Sequence, residues 1–227
     1  MTSKKEIISD YYEQSYEKYL FTSNDVQAKG ISWFEGQIEK FFEEDISNLD
    51  KVLELGGGQG EHLRFLRGFP AEYFSLDKRP INKLKNMEIP NLHFIAGDAE
   101  QLPFPDDIFD RVFSTCLLHH VNDPLQVMNE ARRVTKPNGE IAFLLPTDPG
   151  ILNSIVKATI SYRKLKKVSN YPPALIYALD HQNSISKLLE IYEFAFKHDV
   201  RKKHYRPFFI PSVNLNLAVV LRVRKSI

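Results

Sequence analysis

Apolar positions in the first fifty residues recur every three or four places, which is the spacing of one helix face. A polar break at Thr22–Asp25 separates two such sets, and its side chains can cap the helix that follows. The pattern therefore predicts two helices within residues 1–50. Their apolar positions are Ile7, Ile8, Tyr11, Tyr12, Tyr16, Tyr19 and Leu20 in the first and Ile31, Phe34, Ile38 and Phe41 in the second.

From Lys51 onward the pattern changes to short apolar runs separated by helical segments. Continuous apolar runs suit strands that are covered on both faces, and strands that alternate with helices predict a parallel sheet with right-handed crossovers. A helix centred on His62–Leu66 is expected after the first strand, and another begins at Pro124. The predicted strands are Lys51–Leu55, Tyr73–Leu76, Leu92–Ala96, Arg111–Thr115 and Glu140–Leu145.

The last third of the chain follows a different pattern. Residues 213–224 alternate in polarity, which predicts a late strand with two distinct faces, antiparallel to a partner near Phe194–Arg201. Residues 146–183 are the least regular stretch, with five basic and no acidic residues between Ile151 and Asn170. An insertion after the fifth strand of an open α/β sheet lies beside the ligand crevice. We expect one domain, divided into residues 1–50, 51–145, 146–183 and 184–227.

Composition narrows the class of protein without choosing a function. The 227 residues include 30 Lys and Arg against 29 Asp and Glu, a formal net charge of +1, which gives no reason to expect nucleic acid as a partner. A single cysteine, Cys116, excludes a disulfide within the chain. No run of about 18 apolar residues is present, and residues 1–10 hold no apolar signal segment. We therefore expect a soluble, cytoplasmic protein.

A glycine-rich loop at residues 54–60 lies where the first strand ends. Glycines let the backbone turn tightly and let a ligand approach it closely. The third position of the dinucleotide fingerprint is Glu61, whose charge would repel a pyrophosphate, and no triphosphate-binding loop is present. Asp77, 21 residues after Gly56, can accept both hydroxyls of a ribose, and Asp98 can reach an adenine amino group. The pattern indicates a nucleoside site without provision for phosphates.

Together these residues resemble the class I S-adenosylmethionine-dependent methyltransferases. Glu54, Gly56, Gly58 and Gly60 match the E-x-G-x-G-x-G motif of that family, and Asp77 matches its ribose-binding acid. The similarity runs from about Tyr11 to Leu145, although Asn138 stands where glycine is usual. The other segments that resemble the family are Gly97–Ala99, Leu102–Phe104, Phe109–Val112, Leu118–Val121 and Pro137–Glu140.

The resemblance implies an α/β fold with a Rossmann-like, mostly parallel seven-stranded sheet, helices on both faces and an antiparallel C-terminal strand. It makes residues 1–50 a helical lid, 51–145 the cofactor-binding core, 146–183 an acceptor-side insertion and 184–227 the helix and strand pair that complete the sheet. The cofactor is S-adenosyl-L-methionine. Its expected contacts are Glu54, Gly56, Gly57, Gly58, Gly60, Asp77, Lys78, Asp98, Ala99, Thr115 and Tyr11.

Four residues are candidates for catalysis: His119, His120, His181 and Tyr11. A histidine can act as a general base because its unperturbed pKa lies near 6.5. His119 and His120 are adjacent and cannot point the same way, so packing is the alternative role for either. The spacing of Cys116 to these two histidines matches no zinc pattern, and we expect no metal ion, with Cys116 as an apolar filler.

The leading hypothesis is transfer of a methyl group to an oxygen or nitrogen of a small acceptor, including a sugar or nucleotide sugar. Segments such as Thr147–Gly150 and Asp180–Asn183 resemble a subset that modifies bacterial polysaccharides and sugars. Ser114–Leu117 lacks the motif of enzymes that methylate flipped bases. The alternatives are an NAD-dependent oxidoreductase, a non-catalytic cofactor-binding or scaffold protein, and a lipid or protein methyltransferase. The basic stretches Arg163–Lys167 and Arg201–His204 suit a solvated face, a phosphate-bearing acceptor or an anionic membrane.

Overall fold

The computed structural model describes residues 2–16, 26–58, 60–79 and 89–227. Within these residues the chain forms one seven-stranded sheet. The strands are β1 Lys51–Leu55, β2 Glu72–Asp77, β3 Leu92–Ala96, β4 Phe109–Thr115, β5 Thr135–Pro146, β6 Val200–Arg206 and β7 Ala218–Arg224. Their order across the sheet is β3-β2-β1-β4-β5-β7-β6.

Strands β1 to β5 pair in parallel, whereas β7 runs antiparallel to both of its neighbours, β5 and β6. The chain therefore reaches the outer position of β6 before it returns through β7, which lies between β5 and β6. The predicted fold class, a mostly parallel seven-stranded sheet with an antiparallel C-terminal strand, is confirmed.

Helices of different lengths connect the strands. The first, α1 Lys4–Asp10, begins at a capping box in which Ser3 and Glu6 satisfy each other's backbone N–H groups, and it continues as a π-helical turn at Tyr11–Tyr16. The other α-helices are α2 Val26–Glu35, α3 Pro124–Val134, α4 Ile151–Val156, α5 Tyr162–Val168, α6 Pro173–Asp180 and α7 Ile185–Ala195. Short 3₁₀ helices lie at Ile38–Phe41, Ile46–Asn48 and Glu61–Phe65, and a π-helical turn at Lys157–Ser161 joins α4 to α5.

Side chains that alternate along the strands fill two apolar cores, one on each face of the sheet. On one face, Leu53 and Val112 pack with side chains of α3 and α7. On the other face, Val52 and Phe113 pack with Ile38 and with other apolar side chains that precede β1. Full burial of such a side chain contributes about 1.5–3 kcal/mol. Coverage of both faces explains why the strands are continuous apolar runs rather than alternating ones.

The helix expected around His62–Leu66 is wrong in type and length, because only the five-residue 3₁₀ helix Glu61–Phe65 forms there. It begins after Gly60, which adopts a left-handed φ of 78°. His62 is buried against the segment before β1, where its Nε2 lies 2.8 Å from Oε1 of Glu39. The cap expected at Thr22–Asp25 lies outside the described residues.

Two expectations for the C-terminal region are corrected by the structure. Strand β7 begins at Ala218 instead of residue 213, because the buried Asn216 donates to the carbonyl oxygens of Ile210 and Ser212 and holds residues 207–217 as a loop. Its antiparallel partner β6 begins at Val200, whereas Phe194 still belongs to α7. Strand β7 is buried along its length because both cores cover it, so it does not present two distinct faces.

Long-range hydrogen bonds bring the segment after β5 back to the carboxyl end of β4. The Gln182 and Asn183 N–H groups donate to the His119 carbonyl oxygen at 2.8 and 3.2 Å, and Ile185 N donates to the Asp148 carbonyl oxygen. Asn183 Nδ2 also donates to the carbonyl oxygens of Leu118 and Val121. Residues 147–148 and 180–183 are thus fixed beside the loop that follows β4.

Candidate active site

The glycine loop turns sharply at the carboxyl end of β1. Gly56, Gly58 and Gly60 have φ values of 71°, 53° and 78°, in the left-handed region that favours glycine. Gly57 has a different constraint, since a Cβ there would lie 2.0 Å from the Ser75 Oγ. Backbone alone therefore lines this part of the site, which leaves room for a ligand to approach. Gln59 lies outside the described residues.

Glu54 is buried below this loop. Its Oε2 accepts a hydrogen bond of 2.7 Å from the Tyr73 hydroxyl. Burial raises the pKa of the Glu54 carboxyl, and this effect outweighs the nearby His62 and the hydrogen bond from Tyr73. Glu54 is thus a shielded hydrogen-bonding group that touches the loop from inside, consistent with the predicted role of supporting it.

Two carboxylates lie at the ends of the next two strands. Asp77 is buried at the end of β2, where its Oδ2 accepts from Gly58 N at 3.1 Å and its Oδ1 accepts from Arg79 N at 2.8 Å. Asp98 follows β3 and pairs with Lys78 Nζ at 2.8 Å. Partial burial opposes ionisation of Asp98, but hydrogen bonds from Lys78 and from Glu100 N hold its pKa below the usual range. Asp98 is therefore an ionised acceptor.

These groups line one cavity of about 610 Å³ at the carboxyl ends of the strands. A cavity at this edge, where strand order reverses between β1 and β4, is the usual ligand crevice of an open α/β sheet. Of the cofactor contacts expected from sequence, the cavity brings together Glu54, Gly56, Gly57, Gly58, Asp77, Lys78, Asp98, Ala99 and Thr115.

The two remaining expected contacts lie elsewhere. Gly60 is not among the residues that line this cavity, since it starts the 3₁₀ helix behind the loop. Tyr11 lies in the wall of a second cavity and packs with Leu165 and Ile176. Tyr12 instead faces the first cavity, and its hydroxyl lies 3.1 Å from both carboxylate oxygens of Asp180. The sequence indicated that a tyrosine hydroxyl of this helix could touch the cofactor or the acceptor, with Tyr11 favoured over Tyr12.

The second cavity, of about 420 Å³, is lined mainly by apolar and aromatic side chains. It is enclosed by α2, by the segment 153–161 and by α6. We call it the acceptor cavity after the role that we propose for it below. It shares Glu35, Cys116, His120 and Asp180 with the first cavity, which we call the cofactor cavity, so the two cavities meet at these side chains. Its apolar lining residues include Tyr11, Ile31, Trp33, Phe34, Val156, Ile160, Ile176, Tyr177 and Leu217.

A cluster of three histidines lies in the wall of the acceptor cavity. The ring centroid of His119 lies 3.9 Å from that of His120 and 4.4 Å from that of His181. His120 and His181 come from distant parts of the sequence, and each has a carboxylate partner. Nδ1 of His181 lies 3.0 Å from Oδ2 of Asp148, and Nδ1 of His120 lies 3.3 Å from Oδ1 of Asp180.

The surroundings keep two of these rings neutral near pH 7. Burial, together with the other two histidines and Lys157, lowers the pKa of His119 well below its usual value. Burial also lowers the pKa of His181, although the hydrogen bond with Asp148 opposes the shift. Burial disfavours the Asp148 carboxylate, but His181 and Lys157 hold its pKa below the usual range. His181 and Asp148 therefore form a neutral imidazole paired with a carboxylate.

Sequence reasoning named the histidines but missed their partners, Asp148 and Asp180. Both carboxylates were visible as members of the Thr147–Gly150 and Asp180–Asn183 segments. Their pairing depends on the backbone hydrogen bonds between residues 181–185 and the loops after β4 and β5. No local pattern indicates such contacts.

The ring nitrogens of the three histidines, separated by up to 4.8 Å, are the atoms of this site best suited to bind a cation. At Zn–N distances of about 2.0–2.1 Å, tetrahedral ligand atoms lie only about 3.3 Å apart, so the cluster would have to contract around an ion. Burial raises the pKa of the Cys116 thiol, which disfavours the thiolate that a metal would need. The expectation of no metal ion stays a prediction.

Fold and site together define a nucleoside-binding α/β protein with an attached acceptor cavity. A family model described as a methyltransferase domain matches residues 53–143. The methyltransferase GfsG of Streptomyces halstedii is 27% identical over 195 residues, which cover 73% of this chain and 69% of that protein. The ubiquinone/menaquinone biosynthesis C-methyltransferase UbiE of Vibrio campbellii is 30% identical over 152 residues, 61% of this chain but only 57% of that protein.

Solved structures share the fold. The S-adenosylmethionine-dependent methyltransferase from Mesorhizobium loti superposes with a TM-score of 0.57 at 13% identity, covering 83% of this chain and 95% of that one. These similarities support a class I S-adenosylmethionine-dependent methyltransferase, with S-adenosylmethionine as the cofactor. The acceptors Asp77 and Asp98 in the wall of the cavity suit the nucleoside of this cofactor.

Proposed function

We propose that the protein transfers the methyl group of S-adenosylmethionine to a hydroxyl oxygen of a small acceptor with a largely apolar body, and that His181 is the general base. The observation that carries this proposal is the His181–Asp148 pair in the wall of the apolar acceptor cavity. That cavity meets the cofactor cavity at Glu35, Cys116, His120 and Asp180. In the same proposal, residues 1–50 are the lid and residues 146–183 form the acceptor side.

The cofactor supplies a methyl group that is already activated by a cationic sulfur. The chain has to hold the acceptor oxygen in line with that methyl group, exclude water and remove one proton. Nδ1 of His181 is engaged with Asp148, which leaves Nε2 to take the hydroxyl proton. As the O–H bond breaks, the oxygen forms the new bond to carbon, and the electron pair of the S–C bond stays on sulfur. Asp148 orients the ring and stabilises the imidazolium that forms.

Burial supports this choice of base. The buried imidazole of His181 is neutral near pH 7 and can accept a proton. His119 is more deeply buried, and its neighbouring histidines and Lys157 oppose a positive charge on its ring. His120 lies at the junction of the two cavities and suits contact with the reacting groups. In this proposal His120 and Tyr11 shape the site, and His181 is the base.

The apolar lining supports an acceptor other than a bare sugar. A sugar presents many hydroxyl groups that need hydrogen-bond partners when buried, and the apolar part of this cavity wall, which includes Ile31, Phe34 and Ile160, offers none. The sugar or nucleotide-sugar acceptor suggested by sequence stays a prediction. An acceptor carbon, the kind of atom that the name C-methyltransferase gives for the Vibrio campbellii relative, also has to lose a proton and is compatible with the same base.

The test compares matched acceptors that carry a hydroxyl or a primary amine on the same apolar body. His181→Gln should lower kcat for the hydroxyl acceptor by about 10²–10⁴-fold, because the base is lost. An amine in its free-base form needs no base, so its kcat should change little. His93→Gln, at an exposed histidine on β3, is the control.

Calorimetric titration with S-adenosylmethionine checks that both variants keep the cofactor site. Equal kcat for wild type and His181→Gln on hydroxyl acceptors would refute His181 as the base. Cofactor binding without turnover of any hydroxyl, amine or phenol acceptor would instead favour the scaffold alternative.

A further inference from the structure

One helical segment separates the acceptor cavity from the exterior. Helix α4, the π-helical turn Lys157–Ser161 and α5 follow one another with helical dihedral angles at each junction. One side of this segment lines the acceptor cavity through Asn153, Val156, Lys157 and Ile160. The segment therefore forms a thin wall, and any surface that binds its outer side lies next to the acceptor.

The outer side of the same segment changes character along its length. Its exposed positions recur every three or four residues, so they form one stripe. The stripe is apolar near α4, where Ile151 and Ile155 are 63% and 54% exposed, and basic in α5. The exposed positions are Ile151, Ser154, Ile155, Ala158, Thr159, Arg163, Lys166 and Lys167.

The loop 207–217 adds further exposed apolar side chains beside the start of α4. The backbone N–H of Leu152 donates to the Asn214 carbonyl oxygen at 3.0 Å, so loop and helix adjoin. Phe209 is 72% exposed, and Phe208, Ile210 and Leu215 are also exposed. The buried Asn216 ties the loop together by hydrogen bonds to three backbone groups. These hydrogen bonds fix the conformation of loop 207–217, in which the apolar side chains are exposed.

The exposed charged side chains of the stripe are all basic: Arg163, Lys166 and Lys167. Other basic residues of this region have acidic partners, since Lys157 pairs with Asp148 and both Arg201 and Lys203 pair with Glu193. Protein–protein interfaces are depleted in lysine, whereas Lys and Arg flanking apolar side chains are typical of surfaces that bind anionic lipid. Complementary charge thus favours a lipid bilayer as the occupant.

We propose that the exposed stripe of residues 151–167, together with loop 207–217, docks on an anionic lipid bilayer. Apolar side chains enter the boundary between headgroups and acyl chains, and the basic residues contact lipid phosphates. The docked helix places the acceptor cavity against the bilayer. The acceptor is then an amphiphile that enters the cavity from the bilayer, and this part of the proposal rests on the function proposed above.

Co-sedimentation with vesicles tests docking without cofactor or acceptor. Wild type should sediment with vesicles of phosphatidylcholine and phosphatidylglycerol, less so as salt rises, and should stay in solution with phosphatidylcholine alone. Each basic residue near an anionic surface changes partitioning about fivefold, so Arg163→Glu/Lys166→Glu/Lys167→Glu should lower partitioning by about a hundredfold. Ile151→Ser/Ile155→Ser should also lower it.

The matched control is Phe194→Ser/Lys197→Glu, which removes one exposed aromatic and one basic residue from α7 and the turn after it. This variant should sediment as wild type does. Absence of wild-type binding to the anionic vesicles, or equal loss in the control variant, would overturn the proposal. So would a dimer in solution that the Ile151→Ser/Ile155→Ser variant disrupts, because the surface would then join two copies.

A second measurement separates docking from the proposed reaction. The charge variant should lose turnover of a long-chain hydroxyl acceptor presented in anionic vesicles, yet keep turnover of a short-chain, water-soluble analogue. Equal loss on both acceptors would contradict delivery from the bilayer. Vesicle binding without turnover of either acceptor would overturn the proposed function and leave docking standing.

Discussion

The cofactor cavity and the acceptor cavity are built from the chain in different ways. The first is lined mainly by short segments that directly follow β1, β2, β3 and β4, and by the strand-end carboxylates Glu54, Asp77 and Asp98. The second combines α2, the loop after β4, residues 146–161 and α6. Parallel strands place the first set automatically at one edge of the sheet, whereas the second set depends on contacts between distant segments. The arrangement of the cofactor cavity therefore follows from the sheet itself. The side chains that line the acceptor cavity can be replaced without a change in the sheet.

The largest expected effect is on the cofactor cavity. Asp77→Ala should weaken S-adenosylmethionine binding by about 10²–10⁴-fold, because two hydrogen bonds to a charged acceptor contribute about 3–6 kcal/mol. Calorimetric titration measures the dissociation constant. Asp50→Ala, at an exposed aspartate before β1, should bind as wild type does. An unchanged dissociation constant for Asp77→Ala would show that this carboxylate does not hold the cofactor.

A second change tests the close approach of backbone at the glycine loop. Gly57→Ala places a Cβ about 2.0 Å from the Ser75 Oγ and 3.0 Å from Oε2 of Glu54, with no left-handed backbone angle to complicate the result. Overpacking of about 1–3 kcal/mol predicts affinity reduced about 5–150-fold. Gly30→Ala meets no atom within 4 Å and should leave cofactor affinity unchanged. Equal affinity for both variants would contradict the crowding argument.

The smallest expected effect is a pH shift in the acceptor cavity. Hydroxyl methylation should increase with pH as His181 loses its proton, with a midpoint below the ordinary histidine pKa because burial lowers the pKa of His181. The Asp148 hydrogen bond raises that pKa, so Asp148→Asn should move the rising limb to lower pH and reduce kcat through poorer orientation of the ring. Cofactor affinity should not change. A limb that moves to higher pH would refute the assignment.

The same contrast explains how much of the molecule could be predicted from sequence. Glu54, Asp77 and Asp98 lie at strand ends, so strand periodicity and motif spacing were enough to bring them together. Tyr11 was favoured over its neighbour Tyr12, but Tyr12 faces the cofactor cavity and Tyr11 lines the acceptor cavity. Helical spacing alone does not decide which of two adjacent side chains faces a cavity.

Other features depended on tertiary contacts that carry no local signal. The partners of His120 and His181 come from hydrogen bonds between segments about sixty and thirty residues apart in sequence. The start of β7 was misplaced because the alternation of residues 213–217 continues into a loop held by the buried Asn216. Among the described residues, no helix is long and apolar enough to cross a membrane, and the cytoplasmic location stays a prediction.

The position of β7 between β5 and β6 also affects the order in which the strands can pair while the chain is being synthesised. Strand β6 pairs with β7 and not with β5, so residues 200–206 gain a strand neighbour only after residues 218–224 have been made. A nascent chain that still lacks β7 can pair β1 to β5 around the cofactor site, while β5 keeps an open edge. Proteolytic loss of residues 218–227 would therefore remove all of β7 and leave β6 without a strand neighbour, at the side of the sheet that carries loop 207–217.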